Sequence, residues 1–262
     1  MRYLPLLALL PLPLAAADDL TWHVQVATVS KYAPVEFSAQ LRNVSKGSLA
    51  FEAEGERPAL ELILEQEGKP AARKPLPKEA VAYKGPKELP PSEYAWFVSG
   101  DLRHAFGRLP PGKYTLRVSG GGTSEPASFE VLDTSLEEAK KAWKGPEGVE
   151  FRVKAPGVGV LVNRRKTPIG LWAYGGDRKD QPLDAMATAQ QWTGRAFEAF
   201  AGGFCGTGLE EVTVAPGGER EIALPALPDG ILRLFVPCFE RRGEKAVQIE
   251  ALTEPFLVDT FK

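Results

Sequence analysis

The chain has 262 residues, 44% of them hydrophobic and 25% charged, with a formal net charge of −2. It is too apolar for a disordered polymer, and its charge is too evenly mixed for a polyanion-binding surface. It is long enough for one large domain or two of about 100 residues, and its 26 glycines and 23 prolines cut it into short pieces that suit an all-β fold.

Residues 1–17 read as a signal peptide. Arg2 precedes an apolar run over 4–14, broken by Pro5, Pro11 and Pro13, and Ala15-Ala16-Ala17 offers a cleavage site before Asp18. The run falls short of the ~20 residues that cross a bilayer, and no second one follows. Secretion to the periplasm or beyond is expected, with no membrane span after cleavage.

Residues 18–133 are expected to form a first β-sandwich. Val35, Phe37, Ala39 and Leu41 share one strand face, and Asn43-Val44-Ser45-Lys46-Gly47 turns the chain. Leu60, Leu62 and Leu64 face inward, with Glu61, Ile63 and Glu65 opposite. The Lys- and Pro-rich stretch 71–91 reads as an exposed crossover. Tyr94, Trp96 and Val98 resume the alternation, followed by Tyr114, Leu116 and Val118, and then by Phe129 and Val131.

A short helical linker is predicted over 134–147. Ser135 and Glu138 have capping-box spacing, Leu136, Ala139 and Trp143 share a stripe, and Gly145-Pro146 stops the helix. A second β-sandwich is expected over 148–262, beginning with Val158, Val160 and Val162 and a turn at 163–168. The irregular apolar segment 184–192 suits a short helix or a loop, and the glycine-rich segment 197–208 a long connection.

Elements recur in the same order in both halves. Leu109-Pro110-Pro111-Gly112 returns as Leu227-Pro228-Asp229-Gly230, and Glu125-Pro126 as Glu254-Pro255. Ala33-Pro34 and Asn43 are echoed by Ala155-Pro156 and Asn163, and Pro90-Pro91-Ser92-Glu93 by Pro216-Gly217-Gly218-Glu219. Such turn elements resemble those of bacterial Ig-like domains, and more weakly the intracellular proteinase inhibitor family of bacilli. The resemblance implies two tandem Ig-like antiparallel sandwiches. The second copy has Ile231 and Leu232 where an aromatic is usual in the turn.

Little chemistry is legible. No nucleophile elbow, phosphate loop or calcium-loop spacing occurs, and the only histidines, His23 and His104, both lie in the first half. No catalytic residue, cofactor, metal site or nucleic-acid partner is predicted. An even cysteine count in an exported chain predicts a Cys205–Cys238 disulfide, closing a loop of about 34 residues and stabilising by roughly 3–4 kcal/mol. Trp172 and Tyr174 are the candidates for an exposed aromatic patch. The expected role is a non-enzymatic binding or scaffold protein facing a protein or cell-envelope partner. The alternatives are a secreted proteinase inhibitor, acting through 74–91 or 197–208, and a carbohydrate-binding accessory module.

Overall fold

A computed structural model describes residues 19–50, 59–67, 69, 71–77, 82–83, 88–120, 123–175, 181–199 and 207–261. The predicted signal peptide, the side chain of Trp96 and Cys205 lie outside the described residues. The fold is all-β, and it separates into two compact units. One comprises Met1–Thr28 with Val35–Glu130, the other Val29–Pro34 with Val131–Lys262.

The elements up to residue 132 are β1 (Leu20–Val26), β2 (Val29–Ser30), β3 (Glu36–Asn43), β4 (Leu49–Ala50), β5 (Leu60–Gln66), β6 (Ala72–Leu76), β7 (Ala82–Tyr83), β8 (Glu88–Leu89), β9 (Tyr94–Asp101), α1 (Leu102–Phe106), β10 (Gly112–Ser119), β11 (Thr123–Ser124) and β12 (Ala127–Leu132). One sheet runs β11-β1-β3-β9-β7, and another contains β12-β10-β5-β6. The expected alternation holds in β3, where Phe37, Ala39 and Leu41 are buried. In β5 the pattern is blunter, because Ile63 is buried along with Leu62 and Leu64. Residues 72–76, read as part of a crossover, form a strand paired with β5. Its Arg73, Lys74 and Pro75 are residues that blunt an exposed sheet edge.

Helix α1 was not expected. Asp101 caps it, accepting from the Arg103 backbone N–H at 3.0 Å and the Arg103 Nε at 2.8 Å. It places His104 on a helix.

The second unit adds α2 (Leu136–Ala142), β13 (Val149–Ala155), β14 (Val158–Asn163), β15 (Ile169–Tyr174), β16 (Thr188–Trp192), β17 (Phe197–Ala199), β18 (Leu209–Val214), β19 (Glu219–Ala223), β20 (Gly230–Arg242), β21 (Lys245–Leu252) and β22 (Phe256–Val258). Its sheets run β13-β14-β19 and β17-β16-β20-β15-β18, with β21 and β22 also paired to β20. The capping box of α2 forms as its spacing predicts, Ser135 Oγ accepting from the Glu138 N–H and Glu138 accepting from the Ser135 N–H. Leu136 and Ala139 pack with Trp192, Ile231 and Tyr32, so the helix is part of this unit's core. Residues 188–192, read as helix or loop, form strand β16. Ala185 and Ala187 are buried just ahead of it and Ala189 and Trp192 within it, a spacing that shows no period of two across the strand.

One device occurs in both units. Asn43 ends β3 and Asn163 ends β14, and both are fully buried. Asn43 Nδ2 donates to the carbonyls of Gly47 (2.9 Å) and Leu89 (2.8 Å), and its Oδ1 accepts from the Ser45 N–H. Asn163 Nδ2 donates to Thr167 and Val214 (both 2.9 Å), and its Oδ1 accepts from the Arg165 N–H. The backbone N–H groups of Ser92 and Gly217 donate to the Asn43 and Asn163 carbonyls, and both residues have φ near 70°. Structurally, therefore, Ser92 matches Gly217 and Pro91 matches Pro216, one position off the alignment suggested by the sequence echo. The turn demands a left-handed residue at that point, and Ser92 meets the demand without being glycine.

Candidate functional site: an open strand edge in the second unit

The two units differ most at their first strands. Leu20 lies opposite Asn43 and Val149 opposite Asn163, so β1 and β13 are counterparts, with Trp22 matching Phe151. In the first unit the outer edge of β1 is covered. Thr21 and Trp22 pair in parallel with Thr123 and Ser124, and the Trp22 carbonyl accepts the Glu125 N–H. The Trp22 indole donates to the Gly120 carbonyl at 2.7 Å. In the second unit, among the described residues, β13 pairs with β14 alone.

The backbone polarity of β13 follows from its ladder. The Gly148 carbonyl accepts from the Arg164 N–H, so alternate residues, Glu150 and Arg152, turn their N–H and C=O groups toward β14. Val149, Phe151 and Val153 turn theirs the opposite way. These three residues line a groove of about 680 Å³ together with Trp143, Pro146, Thr253, Pro255 and Phe256. Glu254-Pro255 is the sequence counterpart of Glu125-Pro126, whose N–H closes the first unit's edge. The same segment thus closes one unit and forms a groove wall in the other. Val153, 43% exposed, offers an apolar side chain in the groove.

Charges stand around this apolar groove. Glu150 Oε2 accepts from Arg164 Nε and Nη2 at 2.7 and 2.6 Å, and Lys140 reaches Glu254 at 3.4 Å. Arg152, its side chain 62% exposed, lies 3.5 Å from Glu150 Oε1, a carboxylate already held by Arg164. Lys154 hydrogen-bonds Glu221 on β19, which holds its ammonium group protonated above the usual lysine range.

The residues singled out from sequence fall elsewhere. Trp172 is 42% exposed on β15, and Tyr174 is half-buried two positions on. The ring near Trp172 is that of Phe239, 5.6 Å away, which lies over Gly170. Arg241 covers the Phe239 ring and pairs with Glu211. His23 is near Gln25 and Glu125, and among the described residues no cluster could hold a metal. Of the two segments proposed for an inhibitory loop, 74–91 begins within paired strand β6, and 197–208 opens as β17 before passing outside the described residues. The basic groups Arg165 and Arg242 both engage Glu240, which also accepts from Thr167, and these bonds hold its carboxyl below the usual range.

Among the described residues Cys238 has no disulfide partner, the predicted partner Cys205 lying outside them; Cys238 is 2% exposed in the second unit's core, and burial pushes its thiol up to about 12. A thiol so protonated reacts slowly. Iodoacetamide at pH 8 should leave Cys238 unmodified in the native protein and label it after unfolding in urea. Peptide mapping without reductant would read this and would also detect any link to Cys205.

No family model and no curated protein matches the chain. Among solved structures, the class 5 fimbrial chaperone CfaA aligns over 89% of this chain and 100% of its own, at 10% identity and a TM-score of 0.22. Three N-terminal domains of the highly immunogenic outer capsid protein of bacteriophage RB49 align over 93% of this chain and 71% of their own, at 9% identity and a TM-score of 0.20. Scores this low transfer neither fold nor function.

Proposed function

We propose that the chain is an exported, non-enzymatic binding protein of two bacterial Ig-like domains. In this reading its second unit captures an extended segment of a partner protein as an added strand on β13. One observation carries the reading: β1 is paired with β11 on its outer edge, whereas its counterpart β13 in the second unit pairs with β14 alone among the described residues and lines an apolar groove. A strand edge is a row of hydrogen-bonding groups seeking a partner, and strand addition satisfies them while side-chain pockets supply selectivity. Each bond gained contributes roughly 0.5–1.5 kcal/mol net, so three outward-facing residues suit a modest, reversible affinity. The apolar leader read over residues 1–17 supports export.

Val153→Pro tests the reading. Val153 alternates with Arg152 and is the last residue paired with β14 before the ladder shifts register at Val153–Ala155, so proline there spares the Arg152 bonds to β14 while blocking a guest strand. Binding of extended alternating Val/Thr heptapeptides, followed by fluorescence anisotropy, should weaken at least tenfold, with the melting temperature nearly unchanged. Arg152→Pro, which removes an N–H turned toward β14, should instead destabilise the unit by about 3 kcal/mol. Undiminished peptide binding by a folded Val153→Pro protein would refute strand addition at β13.

A further inference from the structure

Resting on the strand-addition reading, we infer that the segment captured by β13 alternates apolar residues with polar ones and carries an acidic side chain opposite Arg152. A guest strand paired to β13 shares its pleat. Guest residues beside Val149, Phe151 and Val153 lie on the face of the strand that carries the groove's apolar side chains, so they are apolar. Guest residues beside Glu150 and Arg152 lie on the other face and meet charge, and the register shift at Val153–Ala155 ends the regular alternation there.

The charges there are unequal. Around the groove stand Lys140, Arg152 and Arg164 against Glu150 and Glu254, three cations to two carboxylates. Arg164 takes Glu150 through two bonds and Lys140 takes Glu254. Arg152 is left with a 3.5 Å contact to an oxygen of that same Glu150. Further along β13, Lys154 is committed to Glu221. The surplus cation is therefore Arg152, near the middle of the open edge. A carboxylate placed directly across from it gains an opposite-charge cross-strand pair, and a lysine there meets repulsion. The guanidinium can also take a carboxylate through two parallel bonds, which an ammonium cannot.

The test uses the full chain and two palindromic peptides, so strand direction does not matter: Val-Thr-Val-Glu-Val-Thr-Val and the same peptide with central lysine. Fluorescence anisotropy at low salt should show the Glu peptide binding about five- to tenfold tighter. Raising the salt should narrow that gap, because a rim-exposed pair is screened. Arg152→Glu should reverse the preference, and Arg152→Lys should keep its sign at reduced size. Thermal melting of each variant establishes that it is folded, and Arg152→Lys alone suffices if Arg152→Glu is not. If both peptides bind equally well to the wild type and Val153→Pro abolishes both, the acidic preference is wrong and strand addition stands. If neither peptide binds at millimolar concentration, both proposals fall.

Discussion

Replacing Asn163 with Ala is expected to destabilise the second unit by about 3–4 kcal/mol, and Asn43→Ala to do the same to the first. Each amide is fully buried and is bonded to two backbone carbonyls and one backbone N–H. Alanine leaves the buried Leu89 or Val214 carbonyl without that donor and its desolvation uncompensated, and it also removes the two bonds that tie down the more exposed turn, where the Gly47 carbonyl keeps only Ser45 Oγ. The damage spreads, because the Val214 carbonyl belongs to the strand paired with β15 and the Leu89 carbonyl to the strand paired with β4. Asn163→Asp should be worse still. It retains the acceptor for Arg165 but sets a carboxylate against two carbonyl oxygens. Urea unfolding followed by hydrogen exchange with peptide resolution would assign each loss to its own unit. A loss below 1 kcal/mol for both alanine variants would show that these amides do not hold the turns.

Gly120→Ala should cost at least about 3 kcal/mol, all of it in the first unit. A Cβ there would stand 2.1 Å from the Ala59 carbonyl oxygen, and the residue has φ of +108°. Both the backbone conformation and the approach of another backbone exclude a side chain, and no side-chain rotation relieves the contact. The displacement also disturbs the Gly120 carbonyl, which accepts the Trp22 indole N–H at the foot of the covered edge. Gly107→Ala is the control. It has φ of +76° but open space around the added methyl, so it should cost only about 1 kcal/mol. Thermal denaturation of the two variants separates conformational strain from steric collision.

The sequence was most informative where turn chemistry sets the backbone. Asn43 and Asn163, the glycines at 112 and 230, and the Ser135–Glu138 box all stand at the punctuation points that their residue types announce. The same turn residues suggested a chain of two halves, and the structure has two compact units. Strand β16 escaped because its two buried residues, Ala189 and Trp192, lie three apart with two glutamines between them, so the strand shows no period of two. Helix α1 escaped because it is a single capped turn, and the Asp101–Arg103 bond that holds it is a three-dimensional fact. The groove was hidden for a different reason. Glu125-Pro126 and Glu254-Pro255 are identical dipeptides, yet one covers a strand edge and the other stands off from it. The second copy follows the long β20–β21 hairpin, which no local pattern reports.

The paired asparagine turns also define where the two halves are at liberty to diverge. Within each, only the amide and the backbone atoms it touches are constrained. Val44, 50% exposed, faces solvent where its counterpart is Arg164, and Lys46 corresponds to Lys166. Side chains at the outward turn positions, such as the arginine that clasps Glu150, can therefore be exchanged without loosening the corner, which makes these turns places to graft new contacts onto an unchanged bend.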